Sequence, residues 1–163
     1  MMVFSRARHR RTHPQASAPR PIAPLRASGE APKLKIIALG GLEEVGRNMM
    51  LFECGDDIVI VDMGLQFPEE DMPCIDYIIP NISYLKGKEK NIRGVIFTHG
   101  HLDHIGAAPI LLKELGYPPI IGRDFTIALI KKKMEDYEPG SAGRLKPIRI
   151  KNLQDSIPLG QFK

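Results

Sequence analysis

The chain has 163 residues, 43% apolar and 26% charged, which suits one soluble domain of ordinary size. No apolar run approaches the ~20 residues a membrane helix needs, which argues against a helical membrane protein, and the absence of Trp leaves no obvious stacking platform for bases. Residues 1–29 hold six arginines (Arg6, Arg8, Arg10, Arg11, Arg20, Arg26) and no acid, so the other 134 residues carry 17 basic and 19 acidic groups, a net of −2. The basic balance belongs to the tail, and nucleic-acid binding cannot be read from the net charge of the remainder.

Residues 1–32 contain five of the 14 prolines, with Ala, Ser and Arg and no period of 2 or 3.6. Such a segment buries too little apolar surface to offset its ordering entropy, so a disordered basic extension is expected there. A solvated tail that attracts RNA weakly is the first reading. An organelle transit peptide is the second, because the segment is Arg-rich and acid-free, whereas a secretory signal lacks its apolar core. A cytoplasmic location is expected, with organelle targeting by the tail as the alternative. Cys54 and Cys74 stand 20 residues apart with no CxxC, so two reduced thiols are expected, Cys54 packing as a small hydrophobe.

Order is expected from Lys33 onward. Leu34–Leu39 reads as a strand ending at a Gly-Gly turn, and Met49–Cys54 and Ile58–Met63 as two more around a hairpin turn at Gly55-Asp56-Asp57. The run Ile58-Val59-Ile60-Val61 is apolar on both faces, as a buried central strand should be. Residues 64–93 are loop-rich, and Gly94–Thr98 is another buried strand. A helix is expected over 105–115, with Ile105, Ala108, Leu111, Leu112 and Leu115 on one side and Gly116 as its stop. Pro119–Ile121 is a short strand, and residues 124–137 a second helix with Phe125, Ala128, Leu129 and Met134 turned inward. Pro147–Ile150 begins a further strand, and Leu159–Lys163 reads as the lead-in to a hairpin. Strands alternating with helices make the class α/β.

The informative stretch is Thr98-His99-Gly100-His101-Leu102-Asp103-His104, with four metal-competent side chains within six residues between a buried strand and a helix. At the strand end His99 and His101 would share a face, and Gly100 would let the backbone turn. Asp103 would stand near the helix N-cap, facing the positive end of the dipole. Neutral imidazole and carboxylate suit zinc that must keep a coordination position open. Two such clusters side by side suit two metals sharing a water that ionises near neutral pH. Asp62 ends a buried strand, where a carboxylate needs hydrogen bonds or a metal; orienting a ligand His or the site water is its expected role, and capping the following turn the other reading. Gly40–Asn48 is Gly-rich but lacks the Gly-Lys-Ser/Thr ending of a phosphate-binding loop, and reads as a hairpin loop at the rim of the site.

Through Asp62 and the His99/His101/Asp103/His104 motif the sequence resembles the metallo-β-lactamase superfamily. Ala38–Met49, Leu65–Glu69 and Ile75–Pro80 narrow the resemblance to its ribonuclease J group, from about Leu34 to the end of the chain. The resemblance implies an αβ/βα sandwich, of which the first half is present here, with residues 33–163 an incomplete catalytic domain. It implies two Zn2+ per complete domain, His99 and His101 on one and Asp103 and His104 on the other. Asp103 and Asp62 are then the candidate catalytic carboxylates. The implied activity is hydrolysis of RNA phosphodiesters, exonucleolytic from a 5′ monophosphate with some endonucleolytic cutting. RNA is the implied partner, with no membrane, and a homo-oligomer is expected for the full-length protein. The resemblance also asks for later ligands, yet the five histidines are His9, His13, His99, His101 and His104. An N-terminal fragment, inactive by itself, is therefore expected. Two other readings are a small-molecule metallohydrolase of the same fold, similar to glyoxalase II, and a non-catalytic remnant acting as a binding module.

Overall fold

A computed structural model describes residues 32–152 and 154–163. The expected disordered extension thus lies, but for Pro32, outside the described residues. One six-stranded sheet carries β1 (Leu34–Gly40), β2 (Met49–Cys54), β3 (Asp57–Val61), β4 (Ile92–Ile96), β5 (Ile120–Gly122) and β6 (Pro147–Arg149) in sequential order. The first three strands meander antiparallel, and β3 to β6 run parallel. The change of direction has a plain cause. A two-residue turn at Gly55-Asp56, with Gly55 at φ 61°, closes the β2–β3 hairpin, whereas the later strands return through helices or long loops.

Side chains alternate across the sheet. Met49, Leu51, Ile58, Ile60, Val95 and Ile120 face the helices and, with Ile105, Leu111, Leu112, Ile127, Ile130 and Met134, form the main core. Val59 and Ile121 face the other way, against Leu159, Ile96, Ile148, Ile150 and Phe162. That second face is only partly covered and opens as an apolar cleft of about 450 Å³ lined by Phe52, Val61 and Ile157 among others. Each fully buried aliphatic side chain contributes about 1.5–3 kcal/mol by leaving water, so the helix-covered face anchors the fold.

Three expectations need correction. The helix expected over 105–115 is two helices, α1 (Leu102–Ile105) and α2 (Ala108–Glu114). Gly106 lies between them under the Leu65 side chain: a Cβ there would stand 2.4 Å from both the Leu102 carbonyl oxygen of its own turn and Leu65 Cγ. The last long helix, α3 (Asp124–Tyr137), has the expected bounds and only part of the expected inward face: Met134 is buried and Leu129 packs against the core. Thr126, Ile127, Ile130 and Met134 are buried, while Phe125 is 74% exposed and Ala128 exposed. The apolar residues of α3 form two stripes, and spacing does not say which one meets the sheet. Cys54 ends β2 half-buried, its thiol facing solvent and Gln161 rather than the core; both cysteines are free.

Candidate metal centre

Because β3 and β4 are parallel, they deliver their carboxyl ends to the same edge of the sheet. Asp62 leaves β3 at φ 61°, a left-handed conformation that Asp tolerates better than most residues, and its N–H bonds the Ile96 carbonyl at 2.9 Å. Only 5% of Asp62 is exposed, yet its carboxylate is satisfied. Oδ1 accepts Thr98 N–H at 2.9 Å, and Oδ2 accepts the Thr98 hydroxyl and His104 Nδ1–H, both at 2.8 Å. An ionised carboxylate can only accept, so the proton on His104 sits on Nδ1 and the Nε2 lone pair is free. Thr98 spends its own proton on Asp62 and accepts from His99 Nδ1 at 3.0 Å, which frees Nε2 of His99 too. Asp62 and Thr98 thus set the tautomers of two histidines.

The freed nitrogens meet partners. His99 Nε2 stands 3.2 Å from His101 Nδ1, and His104 Nε2 stands 3.2 Å from Asp103 Oδ2. The His99 and His104 rings lie 4.0 Å apart between centroids, so the two pairs adjoin. Zinc bonded at ~2.0–2.1 Å to two tetrahedral ligands separates them by roughly 3.3–3.4 Å, and both pairs fit that edge. Among the described residues no three His, Cys, Asp or Glu side chains surround one point; the donors come as two pairs. His99 and His101 are exposed, His104 and Asp103 half-buried.

The pleat of a strand is not what aligns His99 with His101. β4 ends at Ile96, and both histidines lie on the loop beyond it, where the chain bends at Gly100 against Leu129 of α3. Asp103 likewise falls within the first turn of α1, and the N-cap position belongs to His101, whose side chain makes no capping bond. The sequence reading passed over Thr98 and Asn48. Asn48, at the end of the Gly40–Asn48 loop, donates from its side chain to Asp103 across 55 positions of sequence, a contact no local pattern announces. Neither of two clefts on the described surface is lined by the four donor residues; one is the apolar cleft of the sheet, the other, of about 280 Å³, lies between Tyr77 and Tyr137.

This chain belongs to the metallo-beta-lactamase superfamily, whose family model matches residues 42–162. Curated relatives to which it is similar include ribonucleases J. Ribonuclease J of Mycobacterium tuberculosis (strain CDC 1551 / Oshkosh) is 41% identical over 117 residues, 72% of this chain and 20% of that one. Ribonuclease J of Synechocystis sp. is 42% identical over 130 residues, 78% of this chain and 20% of that one. The chain therefore spans about a fifth of the length of these relatives. A crystal structure of human tRNase Z, short form, is similar over 72% of this chain and 51% of its own, at TM-score 0.43 and 16% identity. No helix among the described residues is long and apolar enough to cross a membrane.

Proposed function

We propose that residues 33–163 carry one part of the active site of a zinc-dependent ribonuclease that hydrolyses RNA phosphodiesters. Its action is exonucleolytic from a 5′ end, with endonucleolytic cutting, in RNA maturation and decay in the cytoplasm. One observation carries the reading: two donor pairs, His99/His101 and Asp103/His104, each 3.2 Å apart and adjoining, beside a buried carboxylate bonded to His104 Nδ1. Lone pairs that close repel unless a cation or proton lies between them. The likeness to ribonucleases J supplies the substrate class, because the donor set alone serves any hydrolase of this superfamily.

His99 Nε2 and His101 Nδ1 would hold one ion, and Asp103 Oδ2 and His104 Nε2 the other. When bound, such a pair of ions supplies Lewis acidity at a phosphoryl oxygen and lowers the pKa of a water. The chain's own residues do the rest. Asp62 holds the proton at His104 Nδ1, Thr98 holds the one at His99 Nδ1, and the α1 turn keeps Asp103 beside His104. A full-length protein of this kind is proposed to act as a homo-oligomer.

The test is a chimera in which this chain replaces the matching 130 residues of the Synechocystis relative. With zinc it should shorten a labelled 5′-monophosphorylated RNA, and His101→Ala should abolish cleavage while leaving RNA binding largely intact, since binding rests mostly on phosphate contacts. Intact RNA beside hydrolysis of a glutathione thioester would favour the small-molecule reading instead.

A further inference from the structure

One side chain that no ligand count includes touches the Asp103/His104 pair directly. Asn48 Nδ2 donates to the Asp103 carbonyl at 3.0 Å and to Asp103 Oδ2 at 3.3 Å, and lies 3.5 Å from His104 Nε2. Its backbone repeats the attachment: Asn48 N–H donates to the same carbonyl at 3.2 Å, and Asn48 C=O accepts Gly64 N–H at 2.9 Å. The three segments approach closely. A Cβ on Gly64 would fall 1.6 Å from the Asp103 carbonyl oxygen and 2.7 Å from Asn48 N. The orientation of the amide follows from its neighbours. Nδ2 faces two oxygens of Asp103 that only accept, while Oδ1 lies over Gly41, where a Cβ would meet it at 2.3 Å.

We propose that Asn48 is a positioning residue for the Asp103/His104 metal pair, its carboxamide fixing the rotation of the Asp103 carboxylate so that Oδ2 and His104 Nε2 face one point. The terminal torsion of Asp is soft, and the Asp103 side chain is 36% exposed, so water competes for its oxygens. An N–H from a residue that is itself bonded through both of its backbone groups restricts that freedom. Asn48 then does for Asp103 what Asp62 does for His104, and each member of the pair has its own brace. The inference rests on reading Asp103 and His104 as metal ligands.

Cobalt(II) reports both statements, because its visible absorption reads coordination without any turnover. The 163-residue chain is titrated with Co2+ to millimolar concentration as wild type, Asn48→Ala, Asp103→Asn and the double variant. Asn48→Ala keeps both backbone bonds and removes only the carboxamide. It should weaken Co2+ at the Asp103/His104 pair by about 10–100-fold, the usual cost of losing a group that orients a ligand, and leave the His99/His101 pair unchanged. In the Asp103→Asn background the same substitution should change affinity less than about twofold, because the group it positions is already gone. Equal losses in both backgrounds would assign Asn48 a general folding role and overturn the proposal, as would no loss in either. Failure of the wild-type chain to bind Co2+ at all would overturn the metal reading of the pair, and this inference with it.

Discussion

Asp62→Asn is the sharpest single perturbation of the site. Asn tolerates the left-handed backbone at φ 61° about as well as Asp, so the substitution leaves the turn alone. Its amide would keep one oxygen for Thr98 N–H, now 2.9 Å from Oδ1, and place an NH2 where Oδ2 accepts from Thr98 and His104 at 2.8 Å. An NH2 at that point donates to His104 Nδ1, which drives the ring proton to Nε2 and removes the lone pair that faces Asp103. A hydrogen bond to a charged group contributes about 1.5–3 kcal/mol. With about 1.4 kcal/mol for each factor of ten, the expected loss of zinc affinity at this pair is roughly 10–100-fold. Long-range proton–nitrogen NMR of the His104 ring reads the tautomer, and competition with a chromophoric chelator reads the affinity. A variant that keeps the proton on Nδ1, or that keeps wild-type affinity with the proton moved, would refute the reasoning.

Gly64→Ala should cost both stability and metal. Its Cβ would lie 1.6 Å from a backbone oxygen, so Asp103 must move by more than an ångström, at about 1–3 kcal/mol or a fall in Tm of several degrees by calorimetry. Gly100→Ala meets only the flexible Leu129 Cδ1 at 2.4 Å, and Leu129→Ala should restore whatever zinc affinity it loses. Far from the site, Glu53 is held at about 2 by the Lys35 ammonium, with Lys88 and the Tyr84 hydroxyl adding to it against the effect of burial. A carboxylate with a lowered folded pKa stabilises the fold above its ordinary value of 4.5 and loses that contribution as pH falls toward 2. Urea midpoints should therefore drop between pH 5 and pH 2.5, and Glu53→Gln should flatten part of that drop.

The strands were legible because their apolar runs leave few other choices: Ile58-Val59-Ile60-Val61 is buried, or nearly so, on both faces. The metal-competent residues were legible for a different reason, their density within one short stretch. What the sequence hid is tertiary. Pattern placed Asp103 near an N-cap and His99 with His101 on a strand, while the chain leaves β4 two residues earlier and bends at Gly100. Phe125 and Ile127 are both strongly apolar, yet Ile127 is buried in the core and Phe125 meets solvent, a choice of helix face that spacing alone leaves open. Asn48 and Thr98 lie inside the quoted stretches, but neither is a metal-ligand type, and their bonds to Asp103 and Asp62 exist only once the segments stand side by side.

Zinc stoichiometry of the ligand variants tests the two-pair arrangement most directly. A catalytic zinc takes three protein ligands and one open position, and each pair supplies two, so the purified chain should bind zinc weakly and leave 5′-monophosphorylated RNA intact. Equilibrium dialysis at saturating zinc, read by mass spectrometry, should find two ions on the wild type. It should find one after His99→Ala with His101→Ala, one after Asp103→Asn with His104→Ala, and none when all four are changed. Two ions retained by the fourfold variant, or both lost on changing either pair alone, would contradict the assignment of one ion to each pair.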